Sequence, residues 1–263
     1  MGWPKALFDR QRRLLFVHVP KSGGTSVLRA VFLSLVKAPN STKDALTPIV
    51  RADEALSKCT LATWPRQENY AHATEAYSIA AIRECLRDAD PVVTFALVRN
   101  PMELRLSAWS WLIAGNQVRS SALSLNYTRN FSSYLLSGDY QRLPANHGPW
   151  VSPFGYTQRS FLGPCTVLFA KERFEALWSW LQGFYPALKP VHYNRDHLPS
   201  AQRATEAIVT PEAREIVERV YADDWELWRS VMARPDGRLV PACAQRLLEG
   251  GRLAQRSPVR AGS

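Results

Sequence analysis

A loop between an apolar run and a helix carries the residues best suited to chemistry. Residues 14–19 are apolar and β-branched, which predicts a β-strand, and the strand leads into Pro20-Lys-Ser-Gly-Gly-Thr-Ser26. Helical periodicity follows from Val27 to Val36. The first N–H groups of a helix have no partner within it, and the helix dipole adds positive potential there. The segment therefore predicts a site for an anion.

The side chains of the loop favour the same ligand. Gly23 and Gly24 would let an anion approach the main chain closely, and Lys21 supplies a mobile positive charge. Hydroxyl donors come from Ser22, Thr25 and Ser26. The order differs from the loop of nucleotide triphosphatases, in which Lys follows the second glycine and four residues separate the glycines. On spacing alone, a turn without a ligand is the alternative reading.

A second group of residues that could bind an anion follows another apolar run. Residues 92–98 predict a strand that ends at Arg99, and Pro101 suits the first position of a helix. Arg99 can hold a phosphate through two parallel hydrogen bonds, and Ser107 can donate from the second helical turn. Taken alone, these residues are better explained as an ion-paired Arg and a helix-surface Ser.

The elements that position these residues predict an α/β fold. Residues 166–170 form a third apolar run, and runs that are apolar throughout suit parallel strands covered on both faces. Strands alternating with helices predict a doubly wound parallel sheet, in one domain over residues 1–249. Within it, residues 115–163 read as an elaborated loop region, and a helix capped by Thr210 continues to Trp228. Residues 250–263 read as a disordered tail.

Both anion motifs resemble those of sulfotransferases that use 3′-phosphoadenosine-5′-phosphosulfate (PAPS). The match is to the carbohydrate-type branch, which includes the uronosyl, chondroitin and heparan sulfotransferases. Its loop reads Pro-Lys-(Ser/Thr)-Gly-Gly-Thr-Ser after a strand that contains a His, here His18. Its 3′-phosphate motif has an Arg at a strand end, then Asn/Asp-Pro, with a Ser eight positions after the Arg. The likeness extends weakly over residues 14–230, including the turn at residues 170–175.

The resemblance implies a P-loop-like sheet and a role for each matching residue. Lys21 would contact the oxygen that bridges phosphate and sulfate, and Arg99 and Ser107 would bind the 3′-phosphate. The loop residues that would hold the 5′-phosphate and the sulfuryl oxygens are Ser22, Gly23, Gly24, Thr25 and Ser26. A sulfuryl group would pass from PAPS to a carbohydrate hydroxyl, without a metal, and leave 3′-phosphoadenosine-5′-phosphate (PAP).

The resemblance also implies a general base. His72 lies in a His-Ala-Thr segment before a helix, as the proposed base of the family does, and its reference pKa of ~6.5 suits proton transfer. Glu68 is the reserve candidate, and a helix-capping or surface His is the alternative reading of His72. One departure is that Leu104 occupies the place of a family Arg. Arg105 follows one residue later, about 100° around the helix.

The composition limits the classes of ligand and partner that the protein could bind. The 33 cations include few lysines and give a net charge of +10, which fits an anionic ligand, an acidic glycan, nucleic acid, or a solvated arginine-rich surface. The implied family favours the glycan over nucleic acid. Four cysteines lack zinc-ligand spacing and allow one or two disulfides: Cys59, Cys85, Cys165 and Cys243.

The sequence contains no apolar run of ~20 residues and no signal-peptide core. It is expected to be cytoplasmic if complete, and Golgi-luminal if it is part of a longer protein. Two other functions remain open. A P-loop kinase or nucleotide triphosphatase would share the strand, loop and helix but require Mg²⁺. An inactive relative would bind acidic glycan or nucleic acid, although the intact Lys21, Arg99, Ser107 and His72 argue against it.

Overall fold

The computed structural model describes residues 6–9, 12–36, 74–85, 89–114, 131–136, 156–191 and 209–249. The strands are β1 (Ala6–Asp9), β2 (Leu14–Val17), β3 (Val93–Val98), β4 (Val167–Ala170) and β5 (Arg238–Leu239). The helices are α1 (Gly24–Val36), α2 (Glu75–Cys85), α3 (Pro101–Ala114), α4 (Phe131–Leu136), α5 (Phe174–Gln182), α6 (Pro211–Val220), α7 (Ala222–Met232) and α8 (Ala242–Glu249).

The strands form one sheet in the order β1-β2-β3-β4-β5, and helices flank it. The predicted α/β class is confirmed, and β2, β3 and β4 are parallel as expected. The sheet departs from a wholly parallel one because β1 and β5 are antiparallel to their neighbours. The connection between β1 and β2 is too short for a crossover, which requires a dozen or more residues, so these strands must be antiparallel. The three parallel strands also lie in the sheet in the same order as in the chain, so the strand order does not reverse among them.

Both faces of the central strands are buried. Alternate residues form the face that packs against α1 and α5: Leu14, Phe16, Phe95, Leu97, Val167 and Phe169. The intervening residues form the face that packs against α2 and α7: Leu15, Val17, Ala96, Val98, Leu168 and Ala170. Successive strand residues point to opposite faces, so burial on both faces produces a continuous apolar run. This burial is why the three strands were recognisable in the sequence.

A third apolar cluster joins α3, α4, α6 and α7 beside the sheet. It contains Met102, Leu106, Trp109, Phe131, Tyr134, Leu135, Ala213, Val217, Tyr221 and Trp225. The predicted N-cap is confirmed, because the Thr210 side chain accepts a 3.3 Å hydrogen bond from the amide of Ala213. The prediction of one continuous helix to Trp228 is wrong. Tyr221, with φ −115° and ψ 35°, separates α6 from α7, and its buried ring packs against the Arg105 guanidinium.

A covalent link ties the start of β4 to α8. Cys165, just before β4, and Cys243 in α8 form a disulfide across a Cα–Cα distance of 5.6 Å. This pair is one of the disulfides that the cysteine count allowed. Within the described ranges, no helix combines the length and apolar character needed to cross a bilayer. The predicted tail at 250–263, Cys59 and most of the 115–163 loop lie outside the described residues.

Candidate functional site

Three positive side chains lie at one edge of the sheet, where the parallel strands end. Lys21 lies in the turn after β2, Arg99 directly follows β3, and Lys171 directly follows β4. Val98 pairs with Ala170 across β3 and β4, so the next residues, Arg99 and Lys171, are neighbours. The carboxyl ends of the strands are the usual ligand-binding edge of an open α/β sheet. The three cations therefore stand where such a fold places its ligands.

The turn that carries Lys21 has an uncommon backbone conformation. Lys21 has a φ of 63° and Gly23 a φ of 96°. Positive φ costs glycine little, but it costs a residue such as lysine roughly 1–3 kcal/mol. The buried Ser22 hydroxyl donates a 2.6 Å hydrogen bond to the carbonyl of Val19. The family resemblance implied that this hydroxyl holds the anion, whereas in the structure it closes the turn.

Gly24, the first residue of α1, is required by packing. A Cβ at this position would lie 2.0 Å from Cδ2 of His18, so no side chain fits. Close approach of an anion is one predicted reason for a glycine at this position, and the structure adds this second one. His18 is 9% exposed and stacks on Phe16 with ring centroids 6.0 Å apart. These contacts give His18 a structural role in packing.

The first turn of α1 faces the same edge. Gly24 and Thr25 are its first residues, and their amides have no acceptor within a helix. The amide of Ser26 donates a 3.0 Å hydrogen bond to the carbonyl of Gly23, which tightens the turn. Thr25 is partly exposed and Ser26 is buried. The helix start thus adds main-chain donors and a positive dipole end to the charge of Lys21.

The pKa values of Lys21 and Lys171 are both lowered. Burial, then Arg99 and Lys171, lower the pKa of Lys21 to about 8. Burial and Arg99 likewise lower the pKa of Lys171 to about 8, while the Glu103 and Glu172 carboxylates oppose that shift. Like charges that are gathered and partly desolvated destabilise the folded protein when no counter-ion is bound. A bound anion would remove much of that cost.

Arg99 is almost fully buried, and its main chain is fixed on both sides. Its amide donates to Oε1 of Gln158 and its carbonyl accepts from Nε2 of Gln158, both at 2.8 Å. Its Nη1 donates a 3.2 Å hydrogen bond to the carbonyl of Lys21, and its Nε lies 3.4 Å from Oε2 of Glu103. The guanidinium of residue 99 is therefore in direct contact with the turn that carries Lys21.

A buried polar network holds Gln158 in turn. The Asp224 carboxylate accepts the amides of Gln158 at 2.9 Å and Arg159 at 3.2 Å, and lies 3.5 Å from Nη2 of Arg105. Burial raises the pKa of Asp224, and the Gln158 amide, Arg105 and the Arg159 amide oppose that shift. The Arg105 guanidinium also lies 3.7 Å from the centroid of the Tyr221 ring. Arg105, the residue displaced from the family pattern, thus supports Arg99 indirectly, through Asp224 and Gln158.

The start of α3 is tied to the same edge. Oδ1 of Asn100 accepts the amides of Met102 and Glu103 at 2.9 and 3.3 Å, as an N-cap does, and Pro101 begins the helix as predicted. The Asn100 amide donates to the Glu172 carboxylate at 2.8 Å. This bond links the strand end that carries Arg99 to the residue beside Lys171.

Ser107 shares the face of α3 that carries Glu103. The two residues are four apart, so they are neighbours about 6 Å apart along the helix axis. Because Glu103 pairs with Arg99, this face of the helix is the one on the side of Arg99. Ser107 is partly exposed there. The spacing that linked Arg99 and Ser107 in the sequence is therefore compatible with a shared ligand.

The predicted base does not fall within this description. His72 and the reserve candidate Glu68 lie outside the described residues, and the base assignment stays a prediction. The described chain resumes at Thr74, and the carboxylate of Glu75 accepts a 2.7 Å hydrogen bond from the Thr94 hydroxyl. The Gly163 amide and the Thr166 hydroxyl donate to the same carboxylate. Buried Glu75 therefore anchors the start of α2 to the amino ends of β3 and β4.

Four residues at or behind the site were not predicted from the sequence: Lys171, Gln158, Asp224 and Glu75. Lys171 did leave a signal, because it follows an apolar strand at once, as Arg99 does. Gln158, Asp224 and Glu75 left none, because each acts through partners that are distant in sequence. Comparisons of the chain with protein-family models, curated proteins and solved structures give no match.

Proposed function

We propose that this protein is a sulfotransferase that transfers a sulfuryl group from PAPS to a hydroxyl of a carbohydrate. The observation that carries the proposal is the convergence of Lys21, Arg99 and Lys171 at the carboxyl ends of the parallel strands. A bound anion would offset the repulsion among these cations, and PAPS carries anionic groups at both ends of one nucleoside. Two of the three cations also belong to the motifs on which the resemblance to PAPS-dependent enzymes rests.

The donor would lie across the turn and the start of α3. Lys21 and the first amides of α1 would hold the phosphosulfate, while Arg99 and Ser107 would hold the 3′-phosphate. The 3.2 Å hydrogen bond from Arg99 to the Lys21 carbonyl supports this reading, since one nucleotide must reach both groups. The strand, loop and helix over residues 14–36 also fit the P-loop-like sheet that the resemblance implies.

Each group would have a defined part in the reaction. The acceptor oxygen attacks sulfur and loses its proton to His72, and the S–O bond to the 5′-phosphate breaks. The electron pair of that bond passes to PAP, so negative charge grows on the leaving phosphate. Lys21 and the loop amides would stabilise that charge in a partly desolvated site, where such stabilisation is largest. The net charge of +10 suits an anionic glycan as acceptor.

Ligand-dependent stability tests the proposal against the P-loop kinase or triphosphatase. We expect PAP at 100 times its Kd to stabilise the protein by ~2.7 kcal/mol, and ATP with Mg²⁺ to stabilise it far less. Thermal unfolding measures both ligands. Incubation with labelled PAPS and a panel of glycans should then move label to a glycan. Stabilisation by ATP and Mg²⁺ alone would establish the rival, and failure to bind PAP would favour the inactive glycan-binding relative.

The base assignment has its own test. His72→Ala should lower the turnover of sulfuryl transfer by ~100-fold, the usual scale for loss of a general base, because no positioned group would take the acceptor proton. Binding of PAP should change little, since the imidazole serves the acceptor and not the nucleotide. Turnover equal to that of the parent protein would show that His72 is not the base, and Glu68→Gln would be the next variant.

A further inference from the structure

Two independent features of the fold place Lys171 against the loop at residues 20–26. It leaves β4 beside Arg99, because Val98 and Ala170 are paired residues of neighbouring strands. Its side chain also runs along the loop, where a Cβ built on Gly23 would lie 3.6 Å from Cε of Lys171. The ammonium group is one bond beyond Cε, so it lies close to Gly23, which the side chains of Phe174 and Leu97 also approach.

Among the described residues, the surroundings of Lys171 do not account for it as a structural cation. Of the two carboxylates that oppose the lowering of its pKa, Glu172 accepts the Asn100 amide at 2.8 Å and the Trp228 Nε1–H at 3.1 Å. The other, Glu103, lies 3.4 Å from Nε of Arg99. Repulsion from Arg99 and partial burial both disfavour the charged ammonium. A side chain that served only folding would be better apolar at this position.

We propose that Lys171 is a third cation of the donor site and binds the phosphosulfate end of PAPS together with Lys21. The inference rests on the proposed function and extends it to a residue outside both sequence motifs. The position beside Gly23 selects the 5′ end of the donor, because Gly23 belongs to the loop that would hold it. Lys21 and Lys171 would then hold the transferred group from the ends of two different strands, β2 and β4.

Ligands that lack one end of the donor provide the test. Lys171→Met should weaken PAP and adenosine 5′-monophosphate by at least ~10-fold, the scale for loss of a charge-assisted hydrogen bond. Adenosine 3′-monophosphate, which lacks the 5′ end, should bind within about two-fold of the parent protein's affinity. Lys171→Arg keeps the charge and should recover much of the PAP affinity. Lys189→Met, at an exposed lysine that follows α5, is the control and should change the affinity for none of these ligands.

Stability without ligand separates a binding role from a folding role. Lys171→Met removes a desolvated charge from beside Arg99, so the melting temperature should rise by ~2–4 °C. A fall in melting temperature, an unchanged affinity for PAP, or equal losses for the 3′- and 5′-monophosphates would each overturn the assignment. Binding of PAP by the parent protein is a separate result, because its absence would reject the proposed function itself.

Discussion

Replacing Lys21 by alanine should lower the turnover of sulfuryl transfer by 10²–10³-fold, the scale on which one preorganised donor to a developing charge contributes. The ammonium group lies in a turn whose positive φ is costly for lysine, and its pKa is lowered to about 8 by burial, Arg99 and Lys171. A costly conformation and a costly charge at one residue fit a role in binding charge. Steady-state transfer of label from PAPS measures the effect. Lys189→Ala, an exposed control, should leave turnover unchanged.

The lowered pKa gives this prediction a second readout. In the proposed site the charged form of Lys21 would bind the donor, and this form is lost as pH rises through about 8, so PAP affinity should fall between about pH 7 and 9. Lys171 loses its proton in the same range, so the Lys21→Ala variant should show a shallower decline and not a flat one. Without ligand, the pH dependence has the opposite direction, and the quantity that changes is the stability of the folded protein. The unfolded chain keeps these protons up to about pH 10.5, so stability should rise between pH 8 and 10.5.

Glu103→Gln is the matched substitution that removes a negative charge from the site, so it should strengthen PAP binding. It removes a carboxylate that lies 3.4 Å from Nε of Arg99 and would compete with a bound phosphate. The pair is partly exposed, so the gain in PAP affinity should be modest, about two- to five-fold. If Lys21→Ala retained full turnover, or Glu103→Gln weakened PAP, the charge-based account of the site would be wrong.

The second large effect is on stability. Asp224→Ala should lower the free energy of unfolding by ~3–5 kcal/mol, because a buried guanidinium, that of Arg105, would lose its carboxylate partner. The amides of Gln158 and Arg159 would lose their acceptor as well. Urea unfolding followed by tryptophan fluorescence measures the change, and Glu226→Ala, on the exposed face of the same helix, should cost less than ~0.5 kcal/mol.

The same variant tests how the network supports the site. Gln158 fixes the main chain of Arg99 on both sides, so loss of Asp224 should also weaken PAP in whatever fraction remains folded. Adding Arg105→Met should recover part of the stability, because no charge is then left buried. A loss below ~1 kcal/mol for Asp224→Ala alone would show that the ion pair contributes little.

Strong local signals explain which elements were predictable. The central strands are buried on both faces, so their apolar runs were recognisable in the sequence. Pro101 and Thr210 indicated where their helices begin. Strand β1 was missed because it has only four residues, of which only Leu7 and Phe8 are large and apolar, and so short a run carries little pattern. The break at Tyr221 was missed because packing under Arg105 overrides a helical periodicity that continues across it.

The sequence alone predicted the strand, loop and helix over residues 14–36, the Arg99–Ser107 spacing and the α/β class, because each depends on residues close together in the chain. Tertiary structure decided that Arg99 contacts the Lys21 carbonyl, that Lys171 lies against Gly23, and that the Ser22 hydroxyl turns inward. It also built the support of Arg99 from Gln158 and Asp224, which lie 59 residues or more away along the chain from the groups they hold. The physical reason is range. Helix starts and buried strands leave local patterns, whereas a cluster of cations and a buried polar network exist only once strand register and helix packing bring distant residues together.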